Sequence, residues 1–591
     1  MSIIVSCSRG HNASTTLLVD GEIIFYLEEE RLSRWKRDGS PFLGLQKVFE
    51  YVDHIDHLVI CHTHREGAKA DWTGEDVYRC WIRKQARKKF DFKVTFIDTI
   101  HHHMHATCAF VNSGFDDAAI LVADGAGSFL KSEACRDTVF EFETIFVADR
   151  GQVDYGTAYK HMGTADSVGY VRCDKDAPLF ITDNPGIVKE YEAVTTYCGF
   201  SSIDAGKTMG LSPYGKENPD IPPMFRNGFG NRDLFAPNYP NGANVVVSRY
   251  PKLREDLASH KRGEWTQIQK DMAYAIQRAS EEEITKLIQK AYDLTGKKNI
   301  CISGGYGLNC VANYKFKKAF PDLNIYVEPI SHDGGTSIGG AYHVYNKDYK
   351  SKYQQLPELK VPKTLYYGPS YNPDEYLDDI DDCWKVVDTS YDDIAKLIRE
   401  GNIVTIFQGR SEGGPRALGN RSILFDPTIK DGKDLVNKVK RREFFRPFAC
   451  SILADKVHDW FDLAGMEDSP SMMYAVECLK GVEDKIPSVI HVDGTCRIQT
   501  VTKEQNEHYY NLISAFEKLS DTPILFNTSF NLGGDPLVET IEDAIDTLGN
   551  SDINYMYLPE IQKLVYVPDN DIREIIPQSA YSPDIQQAEE L

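Results

Sequence analysis

Two short strand-like runs in the first half of the chain end abruptly on glycine. Ala119–Ala123 leads into Asp124-Gly125-Ala126-Gly127-Ser128, and Asn299–Ser303 into Gly304-Gly305-Tyr306-Gly307-Leu308-Asn309. A strand that stops on glycines ahead of a helix-type segment argues for layered α/β structure. The glycines let the backbone turn sharply and place N–H groups at the strand end, where phosphate can approach. Further strand-like runs, Ile3–Ser6, Thr15–Val19, Ile23–Leu27 and Leu58–Cys61, lie upstream, and Asp20-Gly21 predicts a tight hairpin between the second and third. An amphipathic helix is predicted over about 264–295, ending near Gly296. No internal repeat is visible. The fold class that follows is α/β.

At 591 residues the chain exceeds what one core supports. A polar stretch containing Pro357, Pro362 and Pro369 reads as a linker over 351–375, dividing a domain at 1–350 from one at 376–570. The alternation resumes in the second domain with strands near Ile403–Phe407 and Ile524–Phe526, and 571–591 reads as a weakly ordered tail. The 13 cysteines are scattered and never form a CxxC pair, which predicts free thiols, a reducing cytoplasmic setting and no cysteine zinc site. The opening residues read as a strand rather than a signal peptide, and no run approaches the roughly 18 apolar residues of a membrane span. A net charge of −22 opposes nucleic acid and anionic membrane. Only 79–93 runs against it, with Arg79, Arg83, Lys84, Arg87, Lys88, Lys89 and Lys93 interleaved with Trp81, Phe90 and Phe92. That segment is either a solvated helix face or a docking patch for an anionic or aromatic acceptor.

The densest chemistry is His101-His102-His103-Met104-His105. On a helix His101 and His105 stand one turn apart on one face and can share a cation. Asp124 and Asp333, each beside glycine, are the carboxylates that would complete such a set, suited to Fe(II), with Zn or Mn as substitutes. Ala205-Gly206-Lys207 offers a cation within a glycine-punctuated turn. Downstream, Arg410, Arg416 and Arg421 recur within Gly409–Ser422, where a planar guanidinium fork would match phosphate.

Together these segments resemble a known family. The motifs are His11-Asn12-Ala13-Ser14, Leu27-Glu28-Glu29-Glu30-Arg31, His101 to Phe110, Asp124-Gly125, Gly206 to Gly215, and Gly304-Gly305 with Asn309 and Asn313. Arg410–Ser422, Lys440–Phe448, His491–Gln499 and Asn527–Asn531 continue them in the second half. In this order and over nearly the whole chain they resemble the carbamoyltransferases that include the nodulation, tobramycin and cephamycin enzymes. The resemblance implies an actin/Hsp70-like, TsaD-like N-terminal domain and a YrdC-like C-terminal domain. It implies an iron site at His101, His105, Asp124 and Asp333, and a nucleotide held by Gly125, Lys207, Gly304, Gly305, Asn309, Ser529 and Asn531. Carbamoyl phosphate would meet Arg410, Arg416, Arg421, Arg446, Arg497 and Asn527, with Lys440 and Arg442 catalytic on ATP and its Mg. His11 is the candidate general base, since an imidazole can take a proton near neutrality.

The implied reaction forms a carbamoyl-adenylate and transfers the carbamoyl group to a hydroxyl of a small molecule or sugar. A hydroxymethylated nucleic-acid base, a tRNA threonylcarbamoyl-type role and a non-catalytic nucleotide sensor are the alternatives, and a homodimer is left open. The chain departs from the family at Asn12, where an aspartate is usual, so any carboxylate orienting His11 must come from elsewhere. It departs again at Glu539, which replaces a small residue and reads as neutral for mechanism.

Overall fold

The computed structural model describes residues 1–63, 74–86, 89–133, 135–136, 138–173, 178–237, 243–355, 357–358, 360–377, 380 and 383–567. Strands Ile3–Ser8, Ser14–Val19, Glu22–Glu28, His57–Cys61 and Lys93–Ile97 form a sheet in the spatial order third, second, first, fourth, fifth. The first three are antiparallel, and the last two join in parallel after crossovers. Asp20 and Gly21 both have positive φ, 47° and 80°, the backbone that a two-residue hairpin loop requires.

Strands Asp117–Ala123, Val139–Asp149, Gly156–Thr164, Asn299–Ser303 and Asn324–Val327 repeat this order and sense in a second sheet. The chain is therefore duplicated in topology although no repeat is legible in its residues. A ladder needs only apolar runs of suitable length, so the architecture persists without residue identity. This doubled arrangement is the actin/Hsp70-like organisation that the resemblance implies. The long helix is Gln267–Thr295; Thr266 and Gln269 cap its start reciprocally, and Gly296 ends it in the left-handed conformation.

The aromatic residues of the basic segment serve packing. Trp81 lies on helix Glu75–Gln85 and donates its Nε1–H to the Phe42 carbonyl at 2.9 Å. With Phe90 and Phe92 it joins the apolar cluster beneath the first sheet, so these rings do not form a stacking face. Arg87 and Lys88 lie outside the described residues, as does the predicted tail.

In the C-terminal half, ten strands from Lys385–Asp388 to Lys563–Tyr566 make one mixed sheet. Its centre is Val404–Phe407, Arg421–Phe425, Ile524–Ser529, Ala449–Leu453 and Thr495–Val501, in that spatial order. The expected linker is not a free crossing. Helix Gly335–Tyr353 runs past the boundary, and the segment beyond it bonds to both halves. Tyr26 N–H donates to the Tyr367 carbonyl (3.1 Å), Gly413 N–H to Leu365 (2.7 Å) and Gly368 N–H to Ser411 (3.0 Å).

The cores interlock as well. Phe445, wholly buried, packs with Phe200 and Trp265 in an N-terminal cluster, and Met473 enters another. Tyr314 enters the C-terminal core in return. Burial of a side chain the size of Phe445 contributes about 1.5–3 kcal/mol. No disulfide joins the cysteines among the described residues. Among the described residues no helix is long and apolar enough to cross a membrane.

Candidate active site

Helix His101–Ser113 starts where the Ser128 hydroxyl accepts the His101 N–H at 2.9 Å, which meets one of the donors a helix leaves open at its first turn. It packs directly on helix Gly335–Tyr353: a Cβ at Gly339 would lie 2.0 Å from the Met104 carbonyl oxygen, so only glycine permits this approach. The approach sets Asp333, in the turn before the second helix, against His101 and His105 on the first. Asp124 arrives from the end of strand Asp117–Ala123, and its Oδ1 accepts the Gly305 N–H at 3.0 Å. Four residues from distant parts of the chain thus present ligand atoms within 4.8 Å of one another.

The spacing fits a shared cation. The two Nε2 atoms of His101 and His105 stand 3.1 Å apart. Asp124 Oδ2 lies 3.6 Å from His101 Nε2, and Asp333 Oδ1 lies 3.5 and 3.6 Å from the two imidazoles. Ligands that each sit about 2.0–2.2 Å from one ion fall roughly 3–3.5 Å from each other. Against the opposing effect of burial, the two carboxylates raise His101 to about 10, and His101 in turn holds Asp124 and Asp333 low.

His11 stands beside this set. Its side chain is 47% exposed, and Nδ1 is 3.8 Å from Asp333 Oδ2, so a carboxylate faces His11 although position 12 is Asn. The strand after His11 is tied to the Asp333 turn: Ser14 Oγ donates to the Gly334 carbonyl at 2.7 Å and contacts Ser337 Oγ at 2.8 Å.

The glycine loops are fixed by close packing. Gly304 has φ +85°, and a Cβ there would meet the Ala123 carbonyl oxygen at 2.3 Å. Gly304→Ala is therefore expected to destabilise by about 1–3 kcal/mol, seen as a lower melting temperature. A variant melting with the wild type would show that the loop relaxes freely. Gly125 lies against Glu192, which pairs with Lys189 at 2.8 Å. Asn309 faces the protein interior, where it caps helix Cys310–Ala319 through the Ala312 N–H and pairs with Gln277. Lys207 lies at the junction of the halves, 3.3 Å from Asp204 and 3.0 Å from Glu443.

In the C-terminal half Arg416, Lys440, Arg442, Arg446 and Arg497 form an enclosed cationic group, in which Lys440 is buried and the four arginines are half-buried. Lys440 Nζ donates to the Asn531 carbonyl at 2.8 Å, to Asn531 Oδ1 at 3.2 Å and to the Ser529 carbonyl, with no carboxylate in contact among the described residues. Arg442 Nε donates to Asn437 Oδ1 at 2.6 Å, and its guanidinium lies 4.0 Å from the Phe448 ring centre. Arg416 reaches across the seam to the Leu308 carbonyl of the glycine loop at 3.2 Å.

Burial, then repulsion from Arg497 and Arg446, brings Arg416 down to about 9. Burial and neighbouring cations likewise depress Lys440 and Arg442. Among the described residues the only carboxylate paired with an arginine of this group is Glu443, 3.6 Å from Arg446. Arg416 Nε and Arg497 Nε are buried without a hydrogen-bond partner among the described residues. Close by, Asn527 donates to Ser451 Oγ at 2.9 Å while its own Oδ1 is buried and unmet. Buried cations that lack counter-charge are unstable alone, and an anion between them relieves the repulsion.

Arg410 and Arg421 stand apart from this group. Arg410 gives its hydrogens to the carbonyls of Gly368 (2.7 Å), Ile24 (2.6 Å) and Tyr367 (2.6 Å), joining the halves. Arg421 is wholly buried, donates to the carbonyls of Gln408 (2.5 Å), Asn420 (3.1 Å), Gly409 (3.2 Å) and Glu539 (3.3 Å), and stacks on Phe407. Their guanidinium groups are occupied by backbone, which leaves them no fork for a phosphate. The Glu28–Arg31 stretch is also part of the seam: Glu28 accepts the Gly414 N–H at 2.8 Å, and Arg31 donates to the Gly414 carbonyl at 2.7 Å.

A duplicated α/β half with a His–Asp cluster, locked to a half with an enclosed cationic pocket, has the parts of a group-transfer protein. Two family profiles match: Carbamoyltransferase N-terminus over residues 63–342 and Carbamoyltransferase C-terminus over residues 395–563. Nodulation protein NolNO of Sinorhizobium fredii is 30% identical over 92% of this chain and 77% of its own length. Nodulation protein NolO of Bradyrhizobium diazoefficiens is 31% identical over 77% of this chain and 76% of its own. Among solved structures, full-length HypF in its phosphate- and nucleotide-bound form aligns over 59% of this chain and 56% of its own, at 12% identity and a TM-score of 0.35. The chain belongs to the carbamoyltransferase family and is a transferase.

Proposed function

We propose that the protein uses ATP to activate carbamoyl phosphate and transfers the carbamoyl group to a hydroxyl of a small-molecule or sugar acceptor in the cytoplasm. The observation that carries this reading is the pairing of oppositely charged sites in one chain. A carboxylate–imidazole cluster lies in the first half, and a cationic pocket with a single paired carboxylate among the described residues lies in the second, with Arg416 touching the loop between them. Activation belongs to 376–570, transfer to 1–350, and 351–375 straps the two together.

In the cationic pocket Lys440, Arg442, Arg446, Arg416 and Arg497 receive carbamoyl phosphate and the ATP phosphates, whose charges would otherwise repel one another. Water cleaves carbamoyl phosphate to carbamate and phosphate. A carbamate oxygen then attacks the ATP α-phosphorus, and the bond to pyrophosphate breaks. The carbamoyl-adenylate passes inside the protein, out of reach of hydrolysis, to the His–Asp site. There the acceptor oxygen attacks the carbamoyl carbon, AMP leaves, and His11, oriented by Asp333, takes the hydroxyl proton. His101, His105, Asp124 and Asp333 would hold iron, with Zn or Mn as substitutes, and the ion would supply Lewis-acid stabilisation of a carbonyl or phosphoryl oxygen.

Incubation with ATP, Mg, Fe(II) and carbamoyl phosphate, without acceptor, tests the donor half. Pyrophosphate release is expected to require carbamoyl phosphate and to fall at least about a hundredfold in Arg416→Ala. Release that Arg416→Ala leaves unchanged would overturn the assignment of the pocket.

A further inference from the structure

Helix His101–Ser113 carries a second set of donors on its other side. His103 is two residues from both His101 and His105, which turns it about 200° away from them. There it meets His343 of helix Gly335–Tyr353 and Asp154 of the turn between strands Val139–Asp149 and Gly156–Thr164. One ligand atom of each lies within 4.8 Å of the others. The imidazoles are 7% and 6% exposed, their rings meet edge-on at 5.3 Å, and Asp154 faces solvent.

The hydrogen bonds around this trio are those of a site rather than of a packed core. His103 Nε2 lies 3.0 Å from the Val153 carbonyl, which can only accept, so Nε2 carries the proton and Nδ1 keeps its lone pair. A backbone carbonyl on the far nitrogen is the usual way a ligating histidine is aimed. His343 Nδ1 is buried with no hydrogen-bond partner among the described residues. A buried polar atom left unmet in this way is destabilising unless something binds it.

We propose that His103, His343 and Asp154 bind one divalent cation of the zinc class, at a site separate from the His101–His105–Asp124–Asp333 set. Two imidazoles and one carboxylate form a three-ligand zinc set with one position left for water. The exposed carboxylate of Asp154 gives the ion its route in from solvent. Once bound, the ion ties the 150–155 turn to both helices that position the first site, and fixes the rotation of the helix between His101 and His105.

The test is zinc content after dialysis of the whole protein at buffered free zinc. Asp154→Asn leaves the core and all four residues of the first set untouched, and is expected to hold one zinc per chain fewer than the wild type. His343→Gln is expected to do the same with an unchanged circular-dichroism spectrum. Substitution with Co(II) gives an independent reading, since the visible band of the second ion should be missing from Asp154→Asn. An Asp154→Asn protein that retains the wild-type zinc content overturns the proposal.

Discussion

Asp333→Asn is expected to slow carbamoyl transfer to the acceptor about a thousandfold while leaving acceptor-free pyrophosphate release within a few-fold of wild type. The separation follows from position. One oxygen of Asp333 faces His101 and His105 at 3.5 and 3.6 Å, and the other faces His11 at 3.8 Å. Removing the charge therefore weakens the cation set and the orientation of the base in one change. No residue of the cationic pocket contacts Asp333 among the described residues, so adenylate formation has no reason to fall with it. Rapid-quench assays of both half-reactions decide the matter. An equal loss in both would mean that activation and transfer share one site.

The second large effect is on stability. Arg421→Met is expected to destabilise the C-terminal half by about 3–5 kcal/mol, because it removes the donor to four backbone carbonyls together with a buried cation whose charge acts on the Glu539 carboxylate without contacting it. Glu539 is wholly buried, and its carboxylate is pushed up by burial and held down chiefly by Arg421. Without that guanidinium, the carbonyls of Gln408, Gly409 and Asn420 also lose their donor. Adding Glu539→Gln should recover part of the loss, since the isolated buried charge is the larger penalty. Urea unfolding of the two single variants and the double variant measures this. A double variant no more stable than Arg421→Met would place the loss in packing instead.

Glu539 also marks where sequence reading stops. Read along the chain it replaces a small residue without evident consequence, whereas in the fold its buried carboxylate feels the charge of Arg421 and accepts the Ser411 hydroxyl at 2.9 Å. Nothing local in the sequence links positions 421 and 539. The same limit applies to the arginines. Arg410, Arg416 and Arg421 occur in near-identical glycine-rich settings, yet only Arg416 faces the cationic pocket, because the path of the loop over 408–420 rather than local spacing decides where each side chain points.

What was legible rests on local rules. The hairpin at Asp20-Gly21, the end of the long helix at Gly296 and the one-turn spacing of His101 and His105 each follow from a few adjacent residues. That Asp124 and Asp333 converge on those histidines depended on sheet order and a glycine-mediated helix crossing, which spacing alone cannot provide. Asn309 and Lys207 show the converse, since each sits in a glycine-rich motif while its side chain turns to a cap or an ion pair.

Phe445 and Met473 complete cores on one side of the seam, and Tyr314 completes a core on the other. The halves are therefore not interchangeable cassettes. A chimera that joined this N-terminal half to the C-terminal half of a relative would leave sockets shaped for rings it does not bring. Substitutions at Phe445, Met473 or Tyr314 are therefore expected to need a matching change in the opposite half.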